Sequence, residues 1–342
     1  MKFIKLENAE GEKISVRFRE FQRDDAEEIV NLIRDEYAGS YRKRELYSTD
    51  IILQRQAEGI FNFFVAETDD GKIIGVLAFK KNLPRETSCE ITVGIILKEY
   101  RNFHVFRHFL KYVVAQVLKL KNVSAMIGRS VMYHSISQRL MSELGFKPCG
   151  FIFSAIIMES FQHSYAKDGN IKHPHAVIIK RGAKVDAGKI FLPIEHWEIA
   201  RSVYKSLGVK VEISSEEKKL RGESKIFLDE DLPQQNCNIF VDFAGADLKE
   251  EILQIESQRT EPLQTFNIFL NISDESAITA YKVLKSCGYF FAGFEPICSE
   301  REIMILHNPK NVSINLDTLN MTEEFLELKN HVKKFYEGGD KF

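Results

Sequence analysis

The spacing of apolar and polar residues predicts a strand, two helices and three further strands in the first part of the chain. Residues 14–19 alternate with the period of two that is typical of a strand, and apolar residues from Ala26 to Ile33 recur at helical spacing after Asp24 and Asp25. Asp69, Asp70 and Gly71 join two β-rich runs, which predicts a hairpin. The predicted strands are 14–19, 61–68, 72–80 and 87–97, and a second helix is predicted at about 49–57.

A strand, a tight loop and a helix follow one another between residues 87 and 117. After Arg101 the apolar period changes to 3.6, and the stripe from Val105 to Val117 predicts a helix directly after the strand. Further along, we expect a strand at 123–127, a helix at 135–144 and strands at 151–158 and 175–180. The sheet is therefore expected to be mixed and mostly antiparallel, with helices on its faces.

The second half repeats a similar order of elements. Helices are predicted at 194–207, 248–258, 274–287 and 323–335, with strands near 209 and 226 and at 239–243, 265–272, 290–294 and 303–307. A local repeat matches Gly145, Phe146, Gly150 and Phe151 with Gly288, Tyr289, Gly293 and Phe294 at the same spacing. Either duplication or chance explains it, since glycine commonly ends helices. Duplication predicts two α/β (α+β) domains, 1–182 and 183–342.

Composition changes this picture little. Of 342 residues, 44% are hydrophobic and 28% charged, which suits two packed cores, and the net charge of -2 favours neither nucleic acid nor anionic lipid as a partner. No run of about 18 apolar residues occurs, so we expect a cytoplasmic protein that does not enter a membrane. The five cysteines are widely spaced, which predicts buried, reduced thiols and no metal site.

The segments CEITVGIILKEYRNFHVFRHFLKYVV and HSISQRLMSELGF resemble the GNAT superfamily of acyl-CoA-dependent N-acyltransferases. In that family the fourth strand leads into a loop of the form R/Q-x-x-G-x-G/A at a helix N-terminus, and a later helix ends in Leu-Gly-Phe. Tyr100 and Arg101 stand at the start of this loop, Val105 at its aliphatic position, and Leu144, Gly145 and Phe146 match the later motif. The resemblance covers roughly 14–180 and implies a GNAT domain at 1–182, followed by a degenerate copy without a phosphate loop.

The loop could hold a pyrophosphate, because the first N–H groups of a helix are unpaired and carry partial positive charge. A plain tight turn with solvated arginines is the alternative. The family glycines fall at Asn102, His104 and Phe106, and His104 could either donate to a phosphate or block the site. The resemblance implies acetyl-CoA or another acyl-CoA as co-substrate, with contacts from Ile95, Ile96, Leu97, Arg101, Asn102, Phe103, His104, Val105, Phe106 and Arg107.

Acyl transfer to an amine needs the amine to be neutral, so a nearby carboxylate is a natural general base. Glu90 lies on the strand that leads into the loop and is the first candidate, with Glu86 and Glu67 as weaker ones and a solvated strand glutamate as the alternative. Gly94 in the same strand indicates a bulge or a close backbone approach.

The leaving thiolate is often protonated in this family by a tyrosine, whose position here holds Met141. Tyr133 and His134 are adjacent polar candidates for that role, against a packed aromatic residue and a histidine at a helix start.

The connection between the first two helices is rich in tyrosines and cations. Tyr37, Tyr41 and Arg42 could hold an acidic or carboxylate-bearing amine, and a solvated basic loop is the alternative. In the second half, Asp247 at a helix start opposes a phosphate.

Three functions remain open. The first is an N-acyltransferase, with acetyl-CoA as donor and a small-molecule or peptide amine as acceptor. The second is a non-catalytic sensor or scaffold that keeps the fold, and the third is an aminoacyl or peptidyl transferase that uses a charged tRNA, for which no concentrated basic groove is present. We make no prediction of the oligomeric state.

Overall fold

The structure is a computed structural model that describes residues 2–39, 41, 43–82, 85–120, 123–157, 171–182, 186–297 and 301–337. The described residues up to Ile127 form one compact unit, and those from Gly128 onward form a second. The boundary predicted between residues 182 and 183 separates the two proposed copies of the fold, not two compact units, and it stays a prediction.

The first unit is an antiparallel sheet with helices packed on it. Its strands are β1 (Ile4–Glu7), β2 (Lys13–Glu20), β3 (Phe61–Thr68), β4 (Ile73–Asn82) and β5 (Arg85–Ile96), and its helices are α1 (Ala26–Tyr37), α2 (Thr49–Ala57) and α3 (Val105–Val117). The strands neighbour one another in chain order. One buried cluster joins Ile29 and Ile33 of α1 to Phe63 and Val65 of β3. The apolar stripe that predicted α1 is thus the face that packs on the sheet.

Strand β5 contains a bulge. Thr92 pairs with Ala78 and Ile95 pairs with Val76, so two residues of β5 oppose one residue of β4. Val93 has a φ of 53°, a left-handed conformation that is rare for a β-branched residue. The bulge lies two residues before the end of the strand and just ahead of the predicted loop.

The second unit contains the remaining elements. Strand β6 (Ala125–Val131) begins at the end of the first unit, and the further strands are β7 (Lys147–Ile157), β8 (Lys172–Arg181), β9 (Lys189–Phe191), β10 (Glu212–Ser214), β11 (Lys225–Asp231), β12 (Asn236–Phe243), β13 (Thr265–Asn271), β14 (Phe290–Glu295) and β15 (Ile303–Asn308). The helices are α4 (Ile136–Glu143), α5 (Trp197–Ser206), α6 (Leu248–Ser257), α7 (Ala277–Ser286) and α8 (Leu326–Glu337). The main sheet of this unit has the order β6, β8, β7, β14, β15, β13, β12, β11, and β9 pairs in parallel with β10.

Two glycines of the local repeat meet inside this unit. Gly150 of β7 pairs with Gly293 of β14, and a Cβ on Gly293 would lie 2.2 Å from the Gly150 Cα. Gly293 also has a φ of 135°, which only glycine adopts readily. The two glycines at matching positions of the local repeat therefore lie side by side on neighbouring strands, and the duplication stays a prediction.

The predicted fold class is confirmed: the protein is mixed α/β, with mostly antiparallel sheet flanked by helices. The short strands β1 and β9 were not predicted, and the strand expected near Val209 is β10, three residues further on. Strands of three or four residues are too short for a period of two to show in the sequence.

Candidate active site

The predicted loop contains a left-handed residue at the position of a family glycine. Residues Lys98–Phe103 form a 3-10 helix, His104 has φ 58° and ψ 23°, and α3 begins at Val105. This left-handed conformation costs a non-glycine residue roughly 1–2 kcal/mol. The histidine at the family's glycine position thus adopts a left-handed conformation that glycine adopts most readily, and α3 begins at the next residue.

Basic side chains surround this helix N-terminus. The side chains of Arg101, His104, Arg107 and His108 are exposed, whereas Phe103 and Val105 are 6% and 0% exposed and point into the core. The pKa of His108 is lowered, first by partial burial and then by the positive charges of Arg107, Lys111 and His104. The first turn of α3, Val105–His108, carries no acidic residue. Its field suits an anion.

Arg101 is engaged by its own protein rather than aimed at the helix N-terminus. Its Nε donates to the carbonyl oxygen of Ile96 at 2.8 Å, and its guanidinium forms an ion pair with Glu36 on α1. The N–H of Leu97 donates to the Ile74 oxygen at 2.9 Å, and Ile95 pairs with Val76 in the sheet. The main chain at the end of β5 is therefore tied to β4 and to the loop.

The close approach that Gly94 indicated is made by Phe106. A Cβ on Gly94 would lie 3.0 Å from Phe106 Cε2 and 3.2 Å from Leu77 Cδ1. Phe106 takes the last glycine or alanine position of the family loop, and its ring packs on the strand at the bulge. Asn102, the other bulky substitution, is exposed.

Glu90 shares one face of β5 with Thr92. Glu90 is half-buried and pairs across the strands with Lys80, while Thr92 pairs with Ala78. Lys43, from the connection between α1 and α2, donates from Nζ to Thr92 Oγ1 at 3.2 Å. Its Nζ lies 5.2 Å from the centroid of the Phe61 ring. The sequence indicated Lys43 only as one of several cations in this connection, and it did not indicate Thr92, although the period of two places Thr92 on the same face as Glu90.

The weaker base candidates fare differently. Burial alone would raise the pKa of Glu67. Hydrogen bonds from Arg17, at 2.6 Å, and from Arg19 outweigh this effect, so the pKa is lowered. A carboxylate held in this way is a poor base. Glu86 lies outside the residues whose side chains the structure describes.

The tyrosines of the first connection are stacked. The rings of Tyr37 and Tyr41 lie 4.5 Å apart, and the Tyr41 N–H donates to the Tyr47 hydroxyl at 3.0 Å. Tyr41 is 8% exposed and belongs to the core, while Tyr37 is half-buried. Arg42 lies outside the described residues.

In the second unit, Tyr133 and His134 follow β6. Their rings meet edge to face at 4.9 Å, and the Tyr133 ring also faces the edge of His173 at 6.4 Å. The pKa of His134 is lowered, first by burial and then by Arg139, and its buried Nδ1 has no hydrogen-bond partner in the described part of the chain. Met141 packs in the core against Gly128. A neutral imidazole beside a phenol can donate or accept a proton.

The loop ahead of α6 in the second half forms hydrogen bonds with a neighbouring segment of the same chain. Gly245 N donates to Ser224 Oγ at 2.9 Å, Ala246 N donates to the Gly222 oxygen at 2.9 Å, and Asp247 Oδ1 accepts from Ser224 N at 2.8 Å. A Cβ on Gly245 would lie 2.4 Å from Ser224 N. The main-chain donors ahead of α6 are therefore already used, and the carboxylate of Asp247 stands where a phosphate would come.

Metal ligands, membrane-spanning helices and cysteines can be assessed only in the part of the chain that the structure describes. Within the described ranges no group of three or more His, Cys, Asp or Glu could hold a metal ion. No helix of those ranges is long and apolar enough to cross a membrane. Cys89, Cys149, Cys237 and Cys287 are free thiols, and burial raises the pKa of Cys89 and of Cys237 to about 12. Cys298 lies outside the described residues.

Comparison with known proteins identifies the first part of the chain. Residues 15–147 match the family model of the acetyltransferase (GNAT) domain. No curated protein matches the sequence significantly.

Three solved structures that resemble about half of this chain illustrate the comparison. A ribosomal-protein-S5-alanine acetyltransferase of Vibrio fischeri is 14% identical, with 49% of this chain and 93% of that chain covered and a TM-score of 0.39. A mutant of the spermidine N-acetyltransferase of Vibrio cholerae is 17% identical, with 49% and 95% covered and a TM-score of 0.40. A Salmonella typhimurium protein described as an acetyltransferase, with its cofactor acetyl-CoA, is 15% identical, with 50% and 96% covered and a TM-score of 0.41. By the family match, residues 15–147 of this chain belong to the GNAT acetyltransferase family, as its sequence motifs predicted.

Proposed function

We propose that the protein is an N-acetyltransferase that binds acetyl-CoA at the loop before α3 and transfers the acetyl group to an amine. The main support is the loop itself, in which His104 has a left-handed conformation at the family's glycine position and is followed by the basic N-terminus of α3. The groups that could bind a pyrophosphate there are the first N–H groups of α3 and the exposed side chains of Arg107 and His108. Acetyl-CoA supplies the thioester that an amine can attack.

Glu90 is the proposed general base. It would take the proton from the acceptor ammonium, directly or through a water molecule, before the nitrogen attacks. Its half-buried position on the strand that leads into the loop supports this role. Tyr133 and His134 remain the proposed proton donors for the leaving thiolate.

The acceptor is proposed to be a small-molecule or peptide amine that meets the protein at the connection between α1 and α2. Tyr37 and Tyr41 are the proposed wall of that site, and Arg42 was predicted with them. The solved structures that resemble about half the chain are named for acceptors as different as a ribosomal protein and spermidine, and those names leave the acceptor class open.

A catalytically inactive sensor or scaffold is the second candidate, and two observations favour it. The Phe106 ring fills the space over Gly94, and Arg101 is held by Ile96 and Glu36 instead of facing a phosphate. Both features would weaken binding of acetyl-CoA relative to a loop with two glycines.

Binding of acetyl-CoA to the intact protein separates the two. A ligand that binds only the folded state adds about 2.7 kcal/mol to the free energy of unfolding at 100 times its Kd, so a thermal shift is expected. Arg107→Glu in the first turn of α3 should weaken binding about tenfold through charge reversal at the helix N-terminus. Lys249→Glu, in the first turn of α6, is the matched control and should leave affinity unchanged. Absence of both heat and thermal shift with acetyl-CoA would favour the scaffold.

A further inference from the structure

Strand β11 is the last strand at one edge of the main sheet in the second unit. It pairs antiparallel with β12 on one side, and within the described ranges no strand pairs with its other side. Alternate N–H and C=O groups of such an edge strand point away from the sheet, where they can form hydrogen bonds with a further strand. The seven residues of β11 therefore offer a main-chain edge to a partner.

Large apolar side chains are exposed on both faces of this strand. Phe227 is 48% exposed, Leu228 is 42% exposed, and Ile226 is half-buried. Successive side chains of a strand point to opposite faces, so Phe227 lies on one face and Ile226 and Leu228 lie on the other. An apolar edge strand can pair with another chain, and many proteins place charges on such an edge to prevent this pairing. The arrangement of the charges decides which of the two applies to β11.

The charges of β11 are arranged about Phe227. Lys225 and Asp229 lie two residues before it and two residues after it, on the same face of the strand. Both side chains are exposed, and neither forms an ion pair with another residue of the described chain. Glu230, on the other face, forms an ion pair with Arg259. One face of the strand thus carries a cation and an anion at equal distances from the same aromatic residue.

A second copy of β11 can pair antiparallel in a register in which these side chains match. With the two Phe227 residues opposite each other, Lys225 lies opposite Asp229 and Ile226 lies opposite Leu228, each twice by the two-fold symmetry. The registers centred on Ile226 or Leu228 would instead place Phe227 opposite Lys225 or Asp229. A register centred on Asp229 would place two carboxylates against each other. The pattern of β11 therefore favours the register centred on Phe227.

We propose that β11 is a homodimer interface, in which two copies of the chain join their second units by antiparallel pairing of β11 centred on Phe227. The edge is complementary to itself, since both ends of the pairing bring Lys225 of one copy to Asp229 of the other, and this favours a second copy over an unrelated partner. The pairing also brings apolar side chains of the two copies together. One short strand from each chain makes a small interface, so we expect a dimer that dissociates at micromolar concentrations.

Charge reversal tests the pairing. Sedimentation velocity of the full chain is measured from about 1 to about 300 µM, and the dimer fraction of wild type should rise with concentration. Lys225→Asp and Asp229→Lys each place like charges opposite one another twice, so each should weaken the dimer about tenfold or more. An equimolar mixture of these two variants restores opposite charges at both positions and should dimerise as wild type does. Lys119→Asp, at an exposed lysine of the first unit, is the control and should behave as wild type.

Two further variants complete the test. The double variant Lys225→Asp/Asp229→Lys exchanges the charges on both copies and should dimerise as wild type does. Phe227→Asp places two carboxylates opposite each other at the centre of the pairing and should abolish the dimer. Melting temperatures of the variants show that each chain is folded.

The proposal can fail in three ways. A wild-type chain that stays monomeric over the whole concentration range overturns it. A dimer that survives Phe227→Asp and both single charge reversals overturns it as well, because the copies then meet through another surface. If each single variant is monomeric and their mixture is monomeric too, the register centred on Phe227 is refuted.

Discussion

Lys172 is a buried cation in the second unit, and replacing it with methionine should change how stability depends on pH. Lys172 is 0% exposed, and its Nζ donates to Gln235 O at 3.1 Å, to Leu263 O at 3.0 Å and to Thr265 Oγ1 at 2.9 Å. All three acceptors are uncharged. Burial lowers the pKa of Lys172 to about 7, and the negative charge of Asp231 offsets only part of that effect.

The magnitude follows from the two pKa values. The unfolded lysine keeps a pKa of about 10.5, so between the two values the unfolded chain binds more protons than the folded one. Stability therefore rises with pH in this window, by up to about 1.4 kcal/mol per pH unit and about 2 kcal/mol between pH 7 and pH 9. Lys172→Met should lack this increment. Its absolute stability also reflects three lost hydrogen bonds, so the slope is the diagnostic quantity.

Urea unfolding at pH 7, 8 and 9 measures the slope for wild type, Lys172→Met and the exposed control Lys249→Met. Comparison with a variant is needed because buried thiols and phenols with raised pKa values, such as Cys237 and Tyr289, act in the opposite direction. The difference between wild type and Lys172→Met should grow by about 2 kcal/mol in favour of wild type as the pH rises from 7 to 9. If the free energy of unfolding changed equally with pH in wild type and in Lys172→Met, with equal m-values, the lowered pKa of the buried Lys172 would be refuted.

Two further predictions concern the base and the C-terminal helix. Glu90→Gln should leave acetyl-CoA affinity nearly unchanged and lower turnover by about 10² to 10⁴, a loss that shrinks as the pH approaches the acceptor pKa; full turnover at every pH would remove Glu90 from the mechanism. His196 Nδ1 lies 3.0 Å from His331 Nε2 of α8, and its Nε2 lies 2.9 Å from the Tyr281 hydroxyl. Burial above all lowers the pKa of both histidines, so the unfolded chain is protonated first and stability should fall as the pH drops below about 6.5. His331→Gln should flatten this fall in the melting temperature between pH 7.5 and 5, and an unchanged fall would contradict the assignment.

Local patterns were sufficient for most elements of the fold. The stripe over Val105–Val117 and the run 49–57 predicted α3 and α2, because each helix buries a face that repeats at helical spacing. The bulge at Val93 was indicated only by Gly94, its neighbour. A left-handed valine has no signature in a hydrophobic pattern, since the bulge is set by pairing with β4.

The candidate site depended more on contacts between distant residues. That Arg101 is held by Glu36 could not be foreseen, because the two lie on different elements and 65 positions apart. The position of Lys43 over Thr92 likewise requires the path of the whole connection. Family motifs indicated the loop and Glu90, and packing decides which side chains of that loop face solvent.

The loops ahead of α3 and α6 differ in the charge that they place at the start of the helix and in the partners of their main-chain N–H groups. Ahead of α6, Ser224 and Gly222 accept from Gly245 and Ala246, and Asp247 adds a negative charge at the positive end of the helix. Ahead of α3, His104 bends the chain and the first turn carries Arg107 and His108 instead of acids. The hydrogen bonds ahead of α6 stabilise the folded chain by about 1 kcal/mol each, which is typical of a hydrogen bond, whereas the basic first turn of α3 can gain further stability when an anion binds. Binding of a phosphate-bearing ligand should therefore protect amides of α3, and not those of α6, from hydrogen exchange.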